Sequence, residues 1–357
     1  MMTQRLLYRS LVLGLVYLPT SAVWIPRAFA GDERADMTAF AGECKAIMQS
    51  DFALTPDAPT QITSAEPEIA ADGLPSYCRV RGYVAQAVGF EFGLPLAWNG
   101  KFMEGGCGGH CGMETFRWSC AVGLRKGYAC IVSDMGHTGI SSDGLWAYQN
   151  LQAKVDWGYR ATHEVAIAGK VIAAKFYSRP PAKSYYMGCS TGGRQGLQEA
   201  QRFPWDFDGV IAGAPPVNLS NLYLTLAWEI QRGHDQDGRP LLGEHELNLL
   251  SRAAVAKCDL DDGVPDGVIG NPLACRFDPG DLTCRAGSEN ECLTPRQVEV
   301  ARQIYAGPTT SNGQALTRGG GPLPGSEQLW TGVFAIPTGG SSTYSRILAN
   351  AFRYLFF

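Results

Sequence analysis

The chain has 357 residues, 30 Lys and Arg against 34 Asp and Glu, a net charge of −4, and 45% hydrophobic residues. That supports one large core, or a core with an insertion, and gives too little basic charge for a nucleic-acid surface. Eleven cysteines and 43 glycines point to disulfides formed in an oxidising compartment and to long shaped loops.

Met1 to Ala30 reads as a secretory signal. Arg5 and Arg9 precede the apolar run Leu11 to Leu18, and Ala28-Phe29-Ala30 is a small-x-small cleavage site. The run is short for a bilayer span. The mature chain is expected to begin near Gly31, secreted or periplasmic, with no membrane contact after signal removal. An uncleaved anchor is the alternative.

Residues 31–77 are mixed and Pro-rich, and residues 78–97 alternate in part (Val80, Gly82, Val84), which suggests antiparallel lead-in strands. Lys101 to Glu104 reads as a short strand entering a Gly-rich loop, Gly105 to Gly112. Tyr128 to Asp134 reads as a buried strand. Arg160 to Tyr177 reads as an amphipathic helix with Val165, Ala168, Val171, Ile172 and Phe176 on one face. Strands follow at Ser184 to Met187 and Asp208 to Pro215, with a helix over Arg194 to Gln201 between them. Alternating strands and helices in this order imply a parallel sheet covered on both faces.

The character changes after Pro216. Glu244 to Lys257 reads as a helix, an Asp-rich loop follows at 259–270, and Thr294-Pro295-Arg296-Gln297 opens a helix with a capping box and an early Pro. The expected organisation is a signal at 1–30, a core at 31–216 and an inserted lid at 217–357. Cys44–Cys78, Cys258–Cys275 and Cys284–Cys292 are expected disulfides, with Cys107, Cys111, Cys120 and Cys130 paired among themselves. Cys189 is left over, either as an unpaired neighbour of Ser190 or as a reactive thiol.

Gly188-Cys189-Ser190-Thr191-Gly192 stands between a strand and a helix. This is the nucleophile elbow of α/β-hydrolases. Residues two before and two after the serine must lack side chains, and the hydroxyl then stands at the tip of the sheet. The adjacent helix start offers free N–H groups to an anion. Ser190 is the expected nucleophile, and the Thr191 N–H is one expected oxyanion donor. The second should come from the Gly-rich loop. Gly108 is preferred, with Cys107 and Gly109 as rivals; a plain flexible hairpin is the other reading of that loop.

Asp259, Asp262 and Asp266 are spaced by three and four residues, with Gly263 and Gly267 to turn the backbone. Three carboxylates with main-chain carbonyls suit a hard cation such as Ca²⁺. The acidic residue that closes an EF-hand is missing. A loop of Asx-turns without metal is the alternative.

The elbow run Gly188 to Gly196, Ser133-Asp134-Met135-Gly136-His137, Asp208 to Pro216 ending in Ala-Gly-Ala-Pro-Pro, and Cys258 to Val268 together resemble the tannase/feruloyl esterase family. This is a family of secreted α/β-hydrolases that includes a terephthalate monoester hydrolase. The resemblance covers about residues 40–357. It implies an α/β-hydrolase core, a lid with a structural calcium, and hydrolysis of small aromatic esters of plant polyphenol or cell-wall type. It places the calcium carbonyls at Val264 and Val268, beside Asp259, Asp262 and Asp266. It also implies that Cys189 pairs with a cysteine next to a catalytic histidine, preceded by a catalytic Asp.

No His-Cys pair follows Ser190; His234 and His245 are the later histidines, and His110-Cys111 lies upstream. The expectation is a C-terminally truncated chain, without the acid, the base and the last strands, and therefore weakly active or inactive. Two rival functions remain: a hydrolase-like, calcium-stabilised binding protein, and a secreted serine peptidase. His137 is expected to be structural or pocket-lining, His163 to pack or hydrogen-bond, and Arg194 to anchor the elbow helix by a salt bridge. Trp146, Trp157 and Trp228 are expected to pack in the core rather than meet a phenolic substrate.

Overall fold

The structure is a computed structural model and describes residues 29–112, 116–285, 291–317, 320–332 and 343–356. The expected export signal, residues 1–30, lies outside the described residues but for its last two.

Seven strands form one sheet: β1 (Thr60–Glu68), β2 (Tyr77–Val84), β3 (Val88–Pro95), β4 (Lys101–Gly105), β5 (Ala129–Ser133), β6 (Lys183–Cys189) and β7 (Gly209–Gly213). Their order across it is β1-β2-β3-β5-β4-β6-β7. β1, β2, β3 and β5 pair antiparallel, while β5, β4, β6 and β7 run parallel. The parallel half carries the site, because its strands all deliver their C-terminal ends to one edge.

β1 was not expected from the Pro-rich 31–77 stretch. Its register shifts between Ile62 and Ser64, so the inward alternation that marks a strand is broken in mid-run. The lead-in hairpin β2–β3 and the four parallel strands fall where the apolar runs place them.

Around the sheet lie α1 (Phe29–Ala46), α2 (Phe116–Arg125), α3 (Leu151–Val155), α4 (Ala161–Phe176) and α5 (Thr191–Arg202). α4 buries Ala161, Val165, Ala168 and Ile172 against Phe90, Phe92, Phe102 and Ile131. Gly169 is part of this fit, since a Cβ there would meet the Phe102 ring at 2.6 Å. Val171 was expected on the same face but is exposed. At 100° per residue it lies well to one side of the Val165–Ala168–Ile172 stripe.

After β7 come α6 (Leu219–Gly233), α7 (Glu244–Cys258), α8 (Pro295–Ala306) and α9 (Thr343–Asn350). Among the described residues this part adds no strand to the sheet. It has its own apolar cluster, with Leu247, Leu250, Leu293, Val298, Ile304 and Trp330. The capping box forms: Thr294 Oγ1 accepts from Gln297 N at 3.3 Å, and Gln297 Oε1 accepts from Thr294 N at 2.9 Å.

Three disulfides join the expected cysteines, Cys44–Cys78, Cys258–Cys275 and Cys284–Cys292. The remaining four pair as Cys107–Cys111 and Cys120–Cys130, and Cys189 is free and exposed. No helix among the described residues is long and apolar enough to cross a membrane.

Candidate active site

β6 ends at Cys189 and α5 starts at Thr191, so Ser190 alone makes the turn, at φ 59° and ψ −121°. A side chain rarely adopts that conformation. It is held by Ser190 N donating to Gly213 O at 3.0 Å and by Arg194 N donating to Ser190 O at 3.0 Å. The crowding that fixes the glycines is measurable. A Cβ on Gly188 would lie 2.6 Å from the Gly192 backbone, and one on Gly193 would lie 2.2 Å from Gly213 O. The Ser190 residue is exposed. Among the described residues no side chain hydrogen-bonds its hydroxyl.

The Gly-rich loop after β4 is closed by the Cys107–Cys111 disulfide and tied to the elbow. Gly192 N donates to Cys107 O at 2.8 Å, and Thr191 Oγ1 donates to Gly109 O at 2.6 Å. Most of the loop's own N–H groups are already used. Gly106 donates to Met187 O, Cys107 to Gln195 Oε1, His110 to Ser141 O, Cys111 to Gly108 O and Gly112 to Asp134 O. Among the described residues the Gly108 and Gly109 N–H groups have no acceptor. The Cys107 N–H is therefore already committed to Gln195. A Cβ on Gly108 would meet nothing within 4 Å, whereas one on Gly109 would strike Ser141 O at 2.4 Å. Gly108 faces open space beside Gly109, whose carbonyl holds the Thr191 hydroxyl, and the Thr191 N–H lies in the first turn of α5, where no intrahelical acceptor is available.

His110 is fully buried in this loop. Its Nδ1 lies 3.0 Å from Asp143 O and its Nε2 lies 3.3 Å from the Tyr223 hydroxyl. A carbonyl only accepts, so Nδ1 carries the proton and Nε2 accepts from Tyr223. Burial lowers the pKa of this imidazole. His137 stacks on Trp146 at 3.9 Å, and burial pushes it down to about 4. Both rings are neutral packing elements. Trp157 is buried under the Arg194 guanidinium, and Trp228 donates to Gln303 O at 2.9 Å. The tryptophans thus serve packing.

Arg194 does not form the expected salt bridge. Its guanidinium donates to Gly158 O at 2.9 Å and Trp157 O at 3.1 Å and lies 4.2 Å from the Trp157 ring centre. Carbonyl groups at the α3–α4 junction replace a carboxylate, and burial lowers its pKa.

Beneath the elbow helix lies an acidic cluster that the sequence reading missed. His163 Nδ1 contacts Asp206 Oδ2, and Lys170 Nζ donates to Asp206 O at 2.6 Å. Glu199 is 1% exposed and neither carboxyl oxygen has a hydrogen-bond partner. Burial first, then Asp206, pushes it up to about 8. Glu104, also buried, is raised by burial and by the same neighbours. These residues sit on four separate segments, so no local spacing could reveal them.

The Asp-rich loop holds two Asx-turns, at Asp262 and Asp266, and one longer contact from Asp259 across it. Asp259 Oδ1 accepts from Gly267 N, Asp262 Oδ1 from Val264 N and Asp266 Oδ1 from Val268 N, at 2.9–3.0 Å. Gly263 and Gly267 supply the positive φ angles of 87° and 79°. Among the described residues the one His, Cys, Asp or Glu trio with all donor atoms within 4.8 Å is His163, Glu199 and Asp206. The three loop carboxylates are therefore not drawn that close. Their chemistry suits a hard cation, and one oxygen of each carboxylate stays out of these contacts.

Mono(2-hydroxyethyl) terephthalate hydrolase of Piscinibacter sakaiensis is 35% identical over 289 residues, 69% of this chain and 48% of that protein. A probable feruloyl esterase B-2 of Aspergillus flavus is 35% identical over 266 residues, 71% of this chain and 50% of that protein. The chain spans about half the length of the curated relatives it matches. Feruloyl esterase B from Aspergillus oryzae has a similar structure, with a TM-score of 0.75 at 28% identity, over 89% of this chain and 65% of that one. The fold is that of the α/β-hydrolases. The sequence profile described as tannase and feruloyl esterase matches residues 74–352, and this chain belongs to that family.

Proposed function

We propose that the chain is a secreted or periplasmic carboxylic ester hydrolase that acts on small aromatic esters of feruloyl or galloyl type through Ser190. The observation that carries this reading is the strained Ser190 turn beside two free N–H groups, Thr191 and Gly108. Ser190 Oγ attacks the ester carbonyl and passes its proton to water, because no side chain among the described residues takes it. The carbonyl oxygen gains the negative charge, and the Thr191 and Gly108 N–H groups hold it. The intermediate collapses, the alcohol leaves with a proton, and water then releases the aromatic acid from Ser190. Among the described residues no imidazole holds Ser190, so this chain is expected to turn over slowly, with oxyanion stabilisation as its main resource.

The test is hydrolysis of methyl ferulate and methyl gallate by the full chain and by Ser190→Ala. A slow rate that Ser190→Ala abolishes supports the reading. Equal rates in both defeat it. The unengaged Ser190 hydroxyl favours one alternative, a calcium-stabilised binding protein. Saturable ferulate binding without any Ser190-dependent turnover would select it.

The helices and loops after Pro216 are proposed as the lid over this site. Calcium is proposed at Asp259, Asp262 and Asp266, with the Val264 and Val268 carbonyls, and would be structural. The donor set, three carboxylates with two main-chain carbonyls, supports it. Ca²⁺ should raise Tm and EGTA lower it, and the paired changes Asp262→Asn and Asp266→Asn should remove the shift. A Tm indifferent to Ca²⁺ defeats the calcium reading.

A further inference from the structure

Cys107 is clamped on both sides. Its N–H donates to Gln195 Oε1 at 3.2 Å, and its C=O accepts from Gly192 N at 2.8 Å. The second contact fixes more than a carbonyl. The Cys107 C=O and the Gly108 N–H belong to one planar trans peptide and point in opposite directions. Holding that carbonyl on Gly192 therefore also fixes the direction of the Gly108 N–H, which has no acceptor among the described residues. The first contact fixes the preceding peptide. Together they leave Cys107 no freedom to rotate and exchange its own N–H for that of Gly108.

Gln195 is built for this task. It stands five residues after Ser190 on α5 and is only 4% exposed. Its Nε2 donates to Thr162 Oγ1 at 3.1 Å and contacts Met135 Sδ at 2.8 Å. The Tyr186 hydroxyl lies 2.9 Å from Gly192 O and 3.1 Å from Gln195 Oε1, so its single proton is shared. The Cys107 N–H is then the donor that Oε1 holds in full. Reversing the carboxamide would set NH₂ against N–H, so the loop and the side chain orient each other.

We propose that Gln195 is the positioning residue of the oxyanion loop: by occupying the Cys107 N–H it makes the Gly108 N–H the free donor beside Ser190. The catalytic part of this rests on the esterase reading; the structural part does not.

Amide hydrogen exchange on the full chain tests it. Gln195→Leu should cut the protection of the Cys107 amide by about tenfold. Gln195→Glu should retain it, because a carboxylate still accepts there and Thr162 can turn its hydroxyl to donate. Unchanged Cys107 protection in Gln195→Leu overturns the proposal. If Gln195→Leu does not fold, Thr162→Val loosens only the far side of the carboxamide and should give a smaller loss in the same direction; no loss overturns the proposal. With methyl ferulate, Gln195→Leu should lower kcat by about tenfold to a hundredfold with KM unchanged, and Gln195→Glu should recover most of it. A retained kcat in Gln195→Leu also overturns it. Absence of turnover in the unmodified chain would count against the esterase reading, while the exchange result still decides the role of Gln195.

Discussion

A side-chain carbon on Gly188 would stand 2.6 Å from the Gly192 backbone. Neither partner can yield, because Gly192 N is bonded to Cys107 O and α5 is packed on β6 and β7. Gly188→Ala is therefore expected to destabilise the protein by about 2–4 kcal/mol. Urea denaturation measures it. A loss below about 0.5 kcal/mol, the size of an ordinary surface change, would mean that the strand and helix meet less tightly than described.

Ser190 itself is the strained member of the turn. Its φ of 59° with ψ of −121° suits glycine and resists any residue with a Cβ. Ser190→Gly and Ser190→Ala should both abolish turnover. Ser190→Gly should nonetheless be the more stable of the two by about 1 kcal/mol, even though glycine loses more entropy on folding. Thermal unfolding of the pair gives the difference. Equal stabilities would show that no strain is stored at this position.

The elbow was legible because its constraint is local: an apolar strand, two glycines set about one serine, and a helix pattern. The pairings Cys44–Cys78, Cys258–Cys275 and Cys284–Cys292 were also legible, the last two because their cysteines stand close in sequence. β1 was not, since a bulge after Ile62 hides its alternation. The carbonyl anchors of Arg194 were not, since a carbonyl leaves no mark on the sequence. Gln195 lay inside the recognised motif and still gave no signal of its role, because its partners Cys107, Tyr186 and Thr162 come from three other segments. Gly108 was preferred to Cys107 from the sequence, but the physical ground for that preference, the loop's N–H partners, could not be read there.

Glu199 ties stability to pH. Burial and Asp206 raise its carboxyl from 4.5 to about 8, with Lys170 opposing. The folded state then holds a proton that the unfolded chain has released at any pH between those two values. The contribution is complete below about pH 4.5 and is lost as pH rises through about 8, at a ceiling of about 1.4 kcal/mol per pH unit. Glu104 shares the environment and shifts the same way. Unfolding free energy should therefore fall between pH 5 and pH 8, by roughly a few kcal/mol at most. Glu199→Gln should flatten that slope and gain on the parent at the alkaline end. A slope identical in parent and variant would mean that Glu199 is ionised in the folded state.

β7 is the last strand of the sheet, and no strand among the described residues pairs with its outer side. Among the described residues it pairs only with β6, and Ile211 at its centre is 64% exposed. An uncovered parallel edge presents unpaired N–H and C=O groups, and an apolar side chain there adds attraction for a second chain. Dimers and larger species should form through this edge as concentration rises. Ile211→Lys places a charge at the point of contact and should cut that association by several fold without lowering Tm, since the wild-type side chain is mostly in water. Sedimentation velocity over a concentration series reads it. If the monomer fraction is the same in both proteins, the β7 edge is covered in solution and association runs through another surface.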